Sequence, residues 1–330
     1  MTQQASRWSP VAADVFCPAA AASGERTVAV FLRSAEGELL CREGDADGIG
    51  PPRSLGVPVA RVEGASSTIP VDWPVAACST RDGVIHLLAR GAEGDLVHGR
   101  LRGDEWSGFE SVGVPVVEHG SNLPMGLSGA PVACCRERGR LDVFAVAGEG
   151  NLLHTRWDEN GFTPCESLGG LGGTPGREGP VFGTIAAFDA GLRGMGVVAR
   201  DGSGDLLVKL WDGTAFRPFT PIHSLNGIDP LDPALDFIRP PSGSPSACGG
   251  GSARADLFVR GPTGYMLHSA WDGTRWSAMQ ALGMPVAAGT SKGVPFTAGP
   301  IACAWGRYRL DVFACATDGK LYRAHCNGTW

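Results

Sequence analysis

No run of 18 consecutive apolar residues occurs in this 330-residue chain, so no helix of ordinary length is expected to cross a membrane. The opening MTQQASRWSPVAADVFCP lacks a basic segment followed by an apolar one, and Asp14 interrupts its one hydrophobic stretch, so a secretory leader is not expected. No block of lysine and arginine appears, and the formal net charge of -6 argues against nucleic acid or an anionic membrane as partner. Catalytic signatures are missing as well. There is no G-x-S-x-G elbow and no H-E-x-x-H, and the glycine run from Gly170 to Gly176 leads toward a strand, where a phosphate site would need a helix N-terminus. The ten cysteines form no C-x-x-C pair and no Cys/His cluster with zinc spacing, so neither a metal nor a cofactor is expected.

Glycine and proline, by contrast, are plentiful, at 49 and 24 residues, as suits a turn-rich all-β chain. Their placement is periodic. One pattern, an apolar run, a turn and a second apolar run, occurs six times: VAVFLRSAEGELL from Val28, VIHLLARGAEGDLV from Val84, LDVFAVAGEGNLL from Leu141, GMGVVARDGSGDLL from Gly194, ADLFVRGPTGYML from Ala255 and LDVFACATDGKLY from Leu310. The turn glycines Gly37, Gly94, Gly150, Gly204, Gly264 and Gly319 lie 57, 56, 54, 60 and 55 residues apart. A period of this size with several short strands per unit is the signature of a β-propeller.

Upstream of each hairpin stands a strand of small residues opening on proline, at Pro74, Pro131, Pro180, Pro245 and Pro300, and less clearly at Pro10. Small side chains fit the innermost position, where blades converge on the axis. Downstream come a turn such as Asp212-Gly213, an aromatic residue, and a closing strand at Ser54, Ser111, Ser167, Ser224 and Ala281. Four strand signals per unit predict a six-bladed propeller of four-stranded antiparallel blades. Residues 1–330 form one domain in this reading, with blades at 9–56, 74–113, 131–169, 180–226, 245–283 and 300–330. The last is completed by residues 1–8, which close the ring and remove two open edges.

Cys78, Cys134, Cys135, Cys248 and Cys303 all fall on the innermost strands and read as compact buried thiols. Many cysteines without a leader point to reduced thiols and a cytoplasmic location.

The strings AWGRYRLDVFACATDGKLYRA from Ala304 and RLDVFAVAGEGNLLHTRWDENGFTPCESLGG from Arg140 resemble the repeat of the propeller lectins, the fungal fucose-binding and tectonin-like groups and their bacterial relatives. The resemblance runs through nearly the whole chain by way of its repeats. It implies the fold directly and leaves two functions open. Most of the group bind glycans, whereas a branch of similar fungal propellers are hetero-Diels-Alderases that join a tropolone quinone methide to a sesquiterpene alkene.

A multivalent lectin needs the same polar and aromatic set in every blade. Here the fourth residue after the turn glycine runs Cys41, His98, His154, Val208, His268, Arg323, and the sixth runs Glu43, Arg100, Arg156, Leu210, Ala270, His325. Framework residues repeat while polar ones drift. Drift fits one asymmetric axial site, or a lectin with two or three surviving sites around His154, Arg156 and Trp157 or around His268 and Trp271.

Loop lengths favour the axial reading. Between one closing strand and the next innermost strand lie 17 residues (57–73), 17 (114–130), 10 (170–179), 18 (227–244) and 16 (284–299), all crossings that share one face. These would wall the mouth of the axial channel and form a concave site. On them stand the cationic or imidazole donors His119, Arg177, Arg239 and Lys292, which could serve as catalytic groups toward a carbonyl oxygen. Trp73, Asn122, Met125, Glu178, Asp236, Phe237 and Phe296 are the candidate substrate contacts beside them. Cycloaddition needs no nucleophile: a near-attack arrangement and one donor at the developing negative charge suffice. The expectation is therefore a cofactor-independent small-molecule enzyme, with a polyene or terpene and a quinone-methide-like partner as substrates, and a glycan-binding lectin as the alternative.

Overall fold

The computed structural model describes residues 8–12, 16–23, 27–45, 47–62, 68–72, 74–80, 82–116, 124–137, 140–170, 182–189, 194–201, 204–222, 243–251, 254–297, 302–305 and 309–327. Six sheets follow one another around an axis, antiparallel but for one added hairpin in blade two, and one 3-10 turn at Gly148–Gly150 is the only helical element among these residues. Blade three shows the common plan: an innermost strand Val132–Glu137, then Arg140–Ala147, Asn151–Asp158, and an outer pair of short strands, Gly161–Phe162 and Glu166–Ser167. Each innermost strand packs against the next, from Phe16–Ser23 through Ala76–Ser79, Val132–Glu137, Phe182–Asp189, Ser246–Gly251 and Ala302–Trp305 back to the first, so the ring is closed. The chain is a six-bladed β-propeller.

The hairpins form where the repeat places them. All six turn glycines have positive φ, between 76° and 91°, a region that a Cβ disfavours. At Gly264 there is a second reason, since a Cβ there would lie 2.5 Å from the side chain of Pro295.

The middle strands are buried on both faces, and successive side chains point to opposite neighbours. Phe144, Val146 and Leu152 of blade three pack against Val197, Leu207 and Phe219 of blade four. Leu141, Val143 and Ala145, one residue out of phase, pack against Leu88 and Leu96 of blade two. Six such clusters, one between each pair of neighbouring blades, make up the core among the described residues. The gaps between blades are thus the packed regions, and any site between blades opens where that packing stops.

Three expectations are corrected. Pro10 does not open an innermost strand: Ser9–Ala12 pairs with Leu321–Cys326 as the outermost strand of blade six, and the alanine-rich Phe16–Ser23 takes the axial position of blade one. Closure by the N-terminal segment holds, but through residues 9–12 with Trp8 behind them, while residues 1–7 lie outside the described ones. Trp8 is buried, sits edge-on to Phe296 at 4.6 Å and donates its indole N–H to the Leu282 carbonyl at 3.3 Å. Secondly, Cys78 and Cys135 are not free thiols. They stand on neighbouring innermost strands with Cα atoms 6.4 Å apart, within disulfide reach, and are bonded.

Thirdly, the long crossings do not all go to the mouth of the channel. Part of the first forms a hairpin, Val59–Arg61 with Thr68–Pro70, that extends blade two beyond its outermost strand Glu105–Gly113 by parallel pairing of Phe109 with Ala60. Others pin adjacent hairpin turns together. Leu127 N–H donates to the Gly94 carbonyl and Phe296 N–H to that of Gly264, and the side chains of Arg90 and Arg260 donate to the Leu127 and Phe296 carbonyls.

Candidate functional site

Along the axis the innermost strands enclose a cavity of about 120 Å³. Ala77, Ala133, Ala187, Ala247, Pro131 and Cys303 are typical of its wall, and no charged side chain contributes to it among the described residues. Small residues follow from convergence of the strands, and they leave a narrow, apolar channel.

Of the residues placed around the channel mouth by the sequence, Trp73, His119, Asn122, Arg177, Glu178, Asp236, Phe237 and Arg239 lie outside the described residues. Lys292 is exposed on the small hairpin that pairs Val286 with Gly293. Met125 is half-buried against the cluster between blades two and three. Phe296 is fully buried beneath Trp8 and presents no surface to a ligand.

A larger space, about 330 Å³, opens between blades three and four. It forms beyond the apolar packing, where the third strands carry polar side chains. On Asn151–Asp158, His154 and Arg156 turn toward blade four, and Trp157, next along the strand, turns to blade two. His154 is buried between two carboxylates, with Nδ1 2.6 Å from Glu166 Oε1 and Nε2 2.8 Å from Asp142 Oδ1. It thereby fixes Glu166, on the outer strand, at the rim of the cleft. Arg156 Nε lies 3.5 Å from Asp142, buried and without a hydrogen-bond partner, and its guanidinium carbon stands 5.9 Å from the ring centre of Trp211. Blade four supplies Lys209, Trp211 and Phe216 to the opposite wall. The result is an arginine and a carboxylate beside an aromatic face.

The same set recurs at one other gap. His98 pairs in register with Glu110 as His154 does with Glu166, so Arg100 and Glu110 of blade two occupy the positions of Arg156 and Glu166. Trp157 of blade three stands beside them, 5.4 Å from His98 between ring centres. Blade one holds the two charges exchanged, Glu43 and Arg53, 3.6 Å apart. Blades four and five have Leu210 with Thr220 and Ala270 with Gln280, and lack the pair.

The expected alternative sites are therefore divided by the structure. Arg156 and His154 belong to one cleft and Trp157 to the neighbouring one, because strand residues one apart face opposite blades. His268 is buried, with Nε2 2.7 Å from Asp256, and Trp271 packs on Trp276, so this pair builds the interior of blade five. Glu110, Glu166 and Lys209 were missed by sequence reasoning. The signal was an arginine followed ten residues later by a glutamate, in two consecutive repeats.

A closed ring of six blades defines a six-bladed β-propeller. Solved structures of that kind superpose over nearly the whole chain. A lectin of Aleuria aurantia, solved in complex with Fucalpha1-6GlcNAc, matches with a TM-score of 0.61 and 15% identity over 96% of this chain and 93% of that one. AofleA from Arthrobotrys oligospora gives 0.64 and 11% over 97% and 86%, and a lectin of Burkholderia pseudomallei 0.56 and 17% over 93% and 80%. No protein-family model and no curated protein matches the sequence. At these identities the likeness establishes the fold.

Proposed function

We propose that this protein binds saccharides in the clefts between blades two and three and between blades three and four. The observation that carries the reading is the combination of Arg156, Glu166 and Trp211 around a cleft of about 330 Å³, with Arg100, Glu110 and Trp157 in the same register one blade earlier. A pyranose presents hydroxyls that a guanidinium and a carboxylate can bond from either side, and a C–H face that stacks on an aromatic ring. Those are the three groups present. Lectins among the structural neighbours have been solved with fucosides, which supports the ligand class without fixing the sugar. Two clefts of six would give modest avidity.

The test is a glycan array followed by calorimetry with the saccharides it selects, methyl α-L-fucoside included. Binding is expected, with R156A and W211A each removing one class of site and R100A the other. Absence of any saccharide binding at millimolar concentration would overturn the reading.

The axial cavity supports a second reading, a small-molecule enzyme of the cycloaddition type, because its wall is apolar. Its volume of about 120 Å³ falls below the roughly 300 Å³ where ligand pockets begin, so the clefts rank first. Turnover of a quinone methide and a polyene above the uncatalysed rate by R100A/R156A protein would move function to the axis.

A further inference from the structure

Lys209 has no counterpart in the other blades. The residue five positions after the turn glycine is Arg42, Gly99, Thr155, Lys209, Ser269 and Ala324 in blades one to six. Arg42 is satisfied by the carbonyls of Gly50 and Val11. Lys209 is 8% exposed, lines the cleft between blades three and four, and makes no hydrogen bond or ion pair among the described residues. Its ammonium lies 5.2 Å from the centre of the Phe219 ring. The carboxylates of this region face elsewhere, Asp142 toward His154 and Arg156 and Glu166 toward His154.

A charge taken out of water is costly unless something opposite in sign meets it. Burial alone lowers the Lys209 pKa, with no carboxylate acting on it to raise it again. The cleft therefore holds Arg156 and an unpaired ammonium on facing walls. One blade earlier, Thr155 stands at the Lys209 register, and its hydroxyl is spent on the Thr163 carbonyl at 2.6 Å.

We infer that the two clefts differ in ligand charge: the one between blades three and four takes an acidic saccharide, bearing a carboxylate or a sulfate ester that Lys209 meets, while the one between blades two and three takes a neutral saccharide. The inference rests on the saccharide reading above and sharpens it.

Calorimetry with four probes tests it: the methyl α-glycoside of N-acetylneuraminic acid, galactose 6-sulfate, galactose and methyl α-L-fucoside. A charge-assisted contact should favour an acidic sugar over its neutral counterpart by about tenfold or more. The first two probes separate carboxylate from sulfate as the source of charge. K209T, which installs the residue of blade three, and K209M, which keeps the volume over Phe219, should bring the ratio of galactose 6-sulfate to galactose affinity close to one. Added salt should weaken the acidic probes selectively. Equal affinity of R100A protein, which keeps only the cleft between blades three and four, for galactose 6-sulfate and galactose overturns the inference while leaving the saccharide reading intact. So does a ratio that survives in K209M. If neither class of probe binds, the saccharide reading itself falls and this falls with it.

Discussion

At the scale of single residues, the polar positions that drift between blades are mostly an internal device. The strand motif Leu-Asp-Val-Phe buries Asp142 and Asp311, and Ala-Asp-Leu-Phe buries Asp256, and the third strand answers each with a cation or imidazole. His154 meets Asp142, His268 meets Asp256, and Arg323 meets Asp311 at 2.8 Å. Blade two has lost the acid. His86 replaces it and lies 2.9 Å from His98, ring stacked on ring, and burial above all pushes the two pKa values down, to about 4 and about 3. Both rings are therefore neutral when folded, whereas in the unfolded chain they take up protons near pH 6.5. Below that pH the unfolded state binds more protons, so this pair's contribution is full above about pH 6.5 and falls as the solution is acidified toward pH 4. Urea titrations at pH 7 and pH 5 should differ by about 2 kcal/mol or more, and H86Q/H98Q should reduce that difference.

At the scale of elements, the closing strand is short, and what anchors it lies outside its ladder. Ser9–Ala12 contributes three register pairs to Leu321–Cys326, while Trp8 immediately before it enters the core between blades five and six under Phe296. The crossing that ends at Phe296 is therefore part of the same lock. Deleting residues 1–12 removes a large buried aromatic, worth about 3–5 kcal/mol, and bares the Leu321–Cys326 edge to other chains. Lower melting temperature with concentration-dependent aggregation is the expected outcome, and light scattering during a thermal ramp measures both.

At the scale of the molecule, the ring is held by six packed interfaces, and one of them has a covalent tie. Cys78 and Cys135 join blades two and three across 57 residues of sequence. Loop-closure entropy for a ring of that size corresponds to about 4 kcal/mol in the chain-entropy model. C78S/C135S should lose stability by up to that amount in denaturant titration, and reductant should destabilise the wild type but not the variant. The tie spans the gap that carries Arg100, Glu110 and Trp157, so the variant also shows whether that cleft depends on the tie.

The sequence by itself determined the architecture. Six hairpins at a steady period, each with a turn glycine at positive φ and a small-residue strand before it, leave little choice but a closed propeller, because local signals repeated six times can bury their faces only against one another. Which blade owns the first strand was not legible: PVAAD from Pro10 and the alanines of Phe16–Ser23 are both small, and pairing with Leu321–Cys326 is a contact across the whole chain. The site was half legible. Arg156 and the tryptophans stand out in the repeat, but what shares the cleft with Arg156 is Glu166 on the outer strand of its own blade and Trp211 in the next blade, the latter brought there only when neighbouring blades stack. Nothing in the sequence set Lys209 apart from other polar residues on the strands. Only packing against Phe219, with Asp142 and Glu166 facing His154 and not the ammonium, makes it a buried and unpaired charge, since burial and pairing are properties of the folded neighbourhood and not of the residue.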